Sequence, residues 1–178
     1  MLGTPTWNLD SLRFPKALDD DARLPALRAQ LRAGCRKLWE GGALEVPVVR
    51  WSQPLASALA SAQRDRHLQQ GIEHAERILD REAHGLSVAD ARSSSERGSR
   101  VSRLLLVSND GTERFYRQVE RLLRVQGSRL LALRLDAESR QLGVVIGDPD
   151  GLVRALLVEH KTSVTRVLLA LCAPPPGA

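Results

Sequence analysis

Apolar residues recur along this chain in two rhythms, and the change from one to the other marks out its elements. Leu24, Leu27, Leu31, Cys35 and Leu38 fall three and four apart, the period of one helix face. They follow Asp19-Asp20-Asp21, a cluster suited to the positive amino end of a helix, and Gly41-Gly42 is the expected stop. Leu44 to Trp51 is rich in Val and reads as extended, with Pro47 restricting it to an edge strand or a short irregular one. Ser52 and Pro54 open a second helical pattern through Leu55, Leu59, Ala62, Ile72, Ala75 and Leu79 to Gly85, as one long helix or as two broken near Gly71. The following stretch, GLSVADARSSSERGSR, is small, polar and aperiodic, which predicts a mobile loop or linker.

Beyond that stretch the apolar runs shorten. Val101 to Val107 predicts a strand, Thr112 suits the amino cap of a helix carrying Phe115, Val119, Leu122 and Leu123, and Gly127 ends it. Ser128 to Leu135 predicts a second strand, Asp136 a cap for a short helical turn, and Leu152 to Val158 a third strand. Thr162 then opens a last helix with Val164, Val167, Leu168 and Leu171 on one face. Strands alternating with helices predict an α/β fold, a three-layer α-β-α sandwich with a mostly parallel sheet and a helical amino-terminal part. The expected organisation is a helical part with one possible edge strand over 1–85, a flexible linker or loop over 86–100, an α/β domain over 101–173 and a frayed tail over 174–178.

At 178 residues and 43% hydrophobic content the chain can bury a substantial core, and with only 3% aromatics that core must be Leu, Val and Ala. Lys16, Lys37 and Lys161 are the only lysines among 26 basic residues, so the formal charge of +5 is carried by arginine. Arginine's planar fork of donors suits phosphate, but many of these residues have acidic partners at helical spacing, as in Glu113/Arg117 and Glu120/Arg124. The balance permits nucleic acid without requiring it. Cys35 and Cys172 are too few for a disulfide framework, no segment approaches the length of a membrane span, and the opening MLGTPTWNLDSLRF carries Asp10 and no apolar run. The expectation is a cytoplasmic protein with no membrane contact.

Candidate chemistry is sparse. His67 and His74 are two helical turns apart, about 10 Å, too far to share a zinc ion. With no metal set, no phosphate-binding glycine loop and no nucleophile elbow, no catalytic residue and no cofactor is assigned, which favours a binding protein over an enzyme. The run Ser108-Asn109-Asp110-Gly111-Thr112 resembles the haloacid-dehalogenase signature, but Ser108 stands where that chemistry needs a nucleophilic aspartate. A parallel third strand would put His160 and Lys161 on the same strand-end edge as Asn109 and Asp110, a possible ligand edge.

One broader likeness is present. Leu104 to Asp110, an apolar run ending in an acidic residue, Glu138 to Gly147 with its Leu-Gly and second Gly, and Leu152 to His160 together resemble the kink-turn-binding ribosomal-protein superfamily of α-β-α sandwiches. That family opens its RNA-contacting helix with glycine, any residue, asparagine, glutamate; the nearest segment here, Gly71-Ile72-Glu73-His74, lacks the asparagine. The resemblance implies RNA or ribonucleoprotein binding and points to Gly71, Glu73 and Arg77. Independently of it, Arg97, Arg100 and Arg103 border the polar loop and are expected phosphate contacts. The alternative is an assembly subunit that docks a protein partner through Trp39 and Trp51, a residue type that dominates interfaces.

Overall fold

Leu104, Leu105, Leu106 and Val107 are all fully buried, which a strand achieves only where both faces of its sheet are covered. The computed structural model, which describes residues 7–92 and 99–172, shows what covers them. Six strands, β1 (Cys35–Lys37), β2 (Glu45–Arg50), β3 (Leu68–Gln70), β4 (Arg103–Val107), β5 (Leu130–Asp136) and β6 (Ala155–Val158), form one sheet in the order β1-β2-β5-β4-β6-β3. The helices are α1 (Leu24–Ala33), α2 (Gln53–Arg64), α3 (Ile72–Arg92), α4 (Glu113–Gln126), α5 (Ser139–Val145) and α6 (Lys161–Ala170). Helix α3 packs on α4, and α2 packs on α5 and α6. These two groups are the outer layers of an α-β-α sandwich, as the alternation of elements predicts.

The sheet is mixed. Strands β2, β5 and β4 are parallel to one another, β6 is antiparallel to β4, and β3 is antiparallel to β6 and so runs with β4. The direction of β6 corrects the expectation of a parallel third strand, and the loop before it gives the reason. After α5 the chain folds back, with Asp148 N–H donating to the Gly143 carbonyl at 2.9 Å and Val153 N–H donating to the Ser139 carbonyl at 3.1 Å. It therefore regains the rim where β5 ended, and β6 starts there, Ala155 opposite Val107. Gly143 permits this fold-back, because a Cβ there would meet the carbonyl oxygens of Asp148 and Gly151 at 2.6 Å.

The front of the chain departs further from its pattern. Helix α1 stops at Gly34, whose carbonyl accepts Val48 N–H, so Cys35 enters β1 and Leu38 is buried in the turn beyond it rather than on a helix. Strand β2 is interior, and Pro47 is accommodated because it pairs only with β1, the ladder to β5 beginning at Val48. The helical pattern from Ser52 is broken by β3, between Arg66 and Gly71, both with positive φ. The front thus supplies three strands where one was expected, and they flank the later strands in one sheet. Helix α3 continues through Gly85 to Arg92, into the stretch expected to be loop. Residues 93–98, including Arg97, and the tail from 173 lie outside the described residues.

Candidate nucleic-acid interface

Strands β2, β3, β4 and β5 all end at one rim, and helices α2, α3, α4 and α5 all begin there. Such rims are where α/β sheets place ligands. Between the start of α3 and the loop before β6 lies a cavity of about 340 Å³ whose lining includes Gly71, Glu73, His74, Arg77, Phe115 and Arg154. Gly71 joins β3 to α3 with φ at +91°, a conformation that favours glycine, and donates its N–H to the Ala155 carbonyl at 2.9 Å. Apart from its own and the adjoining residues, no atom lies within 4 Å of where its Cβ would stand, so that space is open to an incoming group.

A short relay orients the first turns of α3. Gln69 donates through Nε2 to Glu159 at 2.9 Å, which turns its Oε1 toward His74 Nε2 at 3.2 Å. That leaves His74 Nδ1 as the acceptor facing Arg77 Nη2 at 3.5 Å. Arg154, on the other side, is exposed and its side chain has no hydrogen-bond or ion-pair partner among the described residues. Leu152 beside it is 58% exposed, and Phe115 adds a mostly buried ring. Gly71, Glu73 and Arg77 are thus brought together. Arg154 was missed by sequence reasoning, because nothing in its local pattern shows that the loop before β6 folds back against Gly71.

Asn109 and Asp110 share this rim but act in holding it together. Asp110 accepts the Ser139 amide at 3.0 Å and the Ser139 hydroxyl at 2.7 Å, and Asn109 Nδ2 donates to Asp136 at 3.3 Å. Partial burial works against ionising Asp110, yet its hydrogen bonds, those from Ser139 foremost, together outweigh it and hold the carboxyl below the usual aspartate value. His160 and Lys161 follow β6 and, since β6 is antiparallel to β4, lie at the opposite rim, so the expected four-residue ligand edge is divided. His160 caps α6, Nδ1 accepting Thr162 N–H, and stacks on His67 with centroids 4.2 Å apart.

The arginines nominated beside the polar loop are also at that opposite rim, and both described ones are tied down. Arg103 grips Glu82 through Nε and Nη2, the shortest bond being 2.7 Å, and Arg129 shares the same carboxylate. Arg100 donates from Nη1 to the Phe14 carbonyl at 3.0 Å and to Asp19 at 2.9 Å, a hydrogen bond that lowers the Asp19 pKa. Ion pairs likewise hold Arg117, Arg121, Arg124 and Arg166. At the carboxyl rim, by contrast, Arg50, Arg77, Arg114, Arg140 and Arg154 are exposed and have no carboxylate partner among the described residues.

Trp39 and Trp51 are half-buried against the core, Trp39 with Arg117 above its ring at 5.4 Å, and Trp7 is buried with Nε1 donating to the Leu130 carbonyl at 2.8 Å. Cys35 and Cys172 are free thiols whose pKa values burial pushes up. Among the described residues no three His, Cys, Asp or Glu side chains gather as a metal set would, and no helix is long and apolar enough to cross a membrane.

No family model and no curated protein matches the sequence. Solved structures similar to the chain include the following two. A protein with unknown function from Bacillus halodurans C is 13% identical, with a TM-score of 0.49 over 69% of this chain and 100% of that one. The Giardia lamblia 15.5kD RNA binding protein is 11% identical, with a TM-score of 0.46 over 66% of this chain and 82% of that one.

Proposed function

We propose that the chain is a non-enzymatic binding protein that takes structured RNA at its carboxyl rim, through Arg77 and Arg154 on either side of Gly71. The observation that carries this reading is the placement of uncommitted arginine. Arg103 on β4 and Arg117, Arg121 and Arg124 on α4 are matched to carboxylates, whereas these two are not and border one open cavity beside Gly71, where no side chain stands. Guanidinium groups on two sides can grip a bent phosphate backbone, and Phe115 and Leu152 offer apolar surface to a base that leaves its stack. Glu73 in the same cavity can accept from a base edge, which would add selectivity to charge attraction.

Fluorescence anisotropy with a labelled structured RNA, at low and at physiological salt, tests the reading. Binding that weakens with salt and is weaker in Arg77→Ala and in Arg154→Ala is expected. An affinity that neither substitution changes, or no binding even at low salt, removes it.

A further inference from the structure

At the opposite rim a second concave surface is built from the chain's first described turns, the entry to β4 and the start of α6. Its cavity of about 490 Å³ is lined by Pro15, Lys16, Arg100, Val101, Lys161 and Thr165, among others. Arg100, Ser102 and Lys161 also line a neighbouring cavity of about 750 Å³, so the two share a wall. A concave, largely apolar lining of this size with a few convergent polar groups is the form of a small-molecule site.

The cations here stand differently from those on α4. Lys16 and Lys161 form no ion pair among the described residues, and Lys161 is the first residue of α6, so the helix's positive end adds to its charge. Arg100 is fixed in place by its bonds to the Phe14 carbonyl and Asp19, and both of those bonds leave from Nη1. Its Nε and Nη2 form no hydrogen bond among the described residues, and 30% of the side chain is exposed. Between these donors, Pro15, Ala17, Val101 and the methyl groups of Thr162 and Thr165 offer an apolar wall.

We propose that this groove binds a small organic anion, a carboxylate or phosphate monoester on a compact apolar body, with Lys161, Lys16 and Arg100 holding the charged head. The site is separate from the carboxyl rim and does not depend on the RNA reading. A phosphate or carboxylate accepts from the guanidinium and both ammonium groups, and the apolar body displaces water from Val101 and the threonine methyls.

The test titrates the whole chain with phenyl phosphate and with benzoate, following heat and the amide NMR shifts of Val101, Thr162 and Thr165, with inorganic phosphate and benzyl alcohol as controls. At least one aromatic anion is expected to bind and move those amides, while each control binds about tenfold more weakly or not at all. Lys16→Gln with Lys161→Gln is expected to weaken binding at least about tenfold while leaving the melting temperature unchanged, since neither side chain is tied to the fold. No binding of either aromatic anion at millimolar concentration overturns the proposal. So does inorganic phosphate binding equally well, or affinity that ignores the lysine changes. If the same double substitution weakens structured RNA as much as it weakens the aromatic anion, the groove belongs to a nucleic-acid surface and the small-molecule assignment falls.

Discussion

Asp110 accepts both the amide and the hydroxyl of Ser139, at 3.0 and 2.7 Å, and so joins the loop after β4 to the first residue of α5. The bond satisfies a helix-start amide that Glu138, the residue before it, does not reach, since Glu138 is occupied in a capping box with Gln141. Asp110→Ala should therefore cost about 1 to 2 kcal/mol, the usual effect of losing a capping oxygen, measured by urea unfolding. Asp110→Asn retains one acceptor and should cost about half as much. An unchanged midpoint in Asp110→Ala would show that the two loops hold their positions without this link.

The same carboxyl predicts an acid response. Asp19, Asp21, Asp65 and Asp110 all have folded pKa values below the ordinary 3.8, and Asp21, bonded by the Arg23 side chain and amide, is lowered to about 2. A group depressed on folding stabilises the fold fully above its unfolded value and loses that contribution as pH falls through the folded one. Stability should thus be level above the ordinary carboxylate range and fall as pH drops from about 4 toward about 2. Urea midpoints across that interval check it. In Asp110→Asn the part of the slope due to this residue should vanish, and an identical slope would assign the acid response to other groups.

The amino-terminal hairpin is held to α4 through one buried carboxylate. Glu120, with 7% of its side chain exposed, accepts Ala43 N–H at 3.0 Å and Leu44 N–H at 3.1 Å, and Arg124 pairs with its second oxygen. Glu120→Ala leaves two amides without partners and should cost about 2 to 3 kcal/mol, whereas Arg124→Ala, which removes a half-exposed ion, should cost under about 1 kcal/mol. The contrast between the two variants in thermal unfolding is the measurement. Equal effects would mean that the ion pair, and not the amide clamp, fixes the hairpin.

How much of this was legible in the sequence depended on whether local pattern and tertiary environment agreed. The stretch from β4 through α4 was readable because each signal is local: an unbroken apolar strand, Thr112 capping Phe115 N–H, and Gly127 at φ +60° ending the helix. Strand β3 was not, since of Leu68, Gln69 and Gln70 only Leu68 is buried and the segment becomes a strand only by pairing with β6. The direction of β6 was hidden for a similar reason, as it is set by the Ser139 carbonyl recapturing Val153, a contact without a periodic signature. At the candidate site, Gly71 and Arg77 could be proposed from a motif-like segment, but Arg154 enters only through that same fold-back.

Arginine at the carboxyl rim yields the sharpest functional prediction. If Arg77 and Arg154 each neutralise one phosphate, each alanine variant should lower the slope of log affinity against log salt by about 0.7 to 0.9, and affinity should fall by a similar factor across different structured RNAs. Arg121→Ala is the control: it is also exposed but paired with Glu76 at 3.1 Å, and it should leave the slope unchanged. Gly71→Ala acts differently, because φ at +91° is strained for any side chain while the space above it is open. It should cost about 1 to 2 kcal/mol of stability and weaken RNA through the displaced turn, with the salt slope intact. Slopes that fall equally in Arg121→Ala and Arg77→Ala would mean that charge anywhere on the surface suffices, and the rim would lose its claim to be the interface.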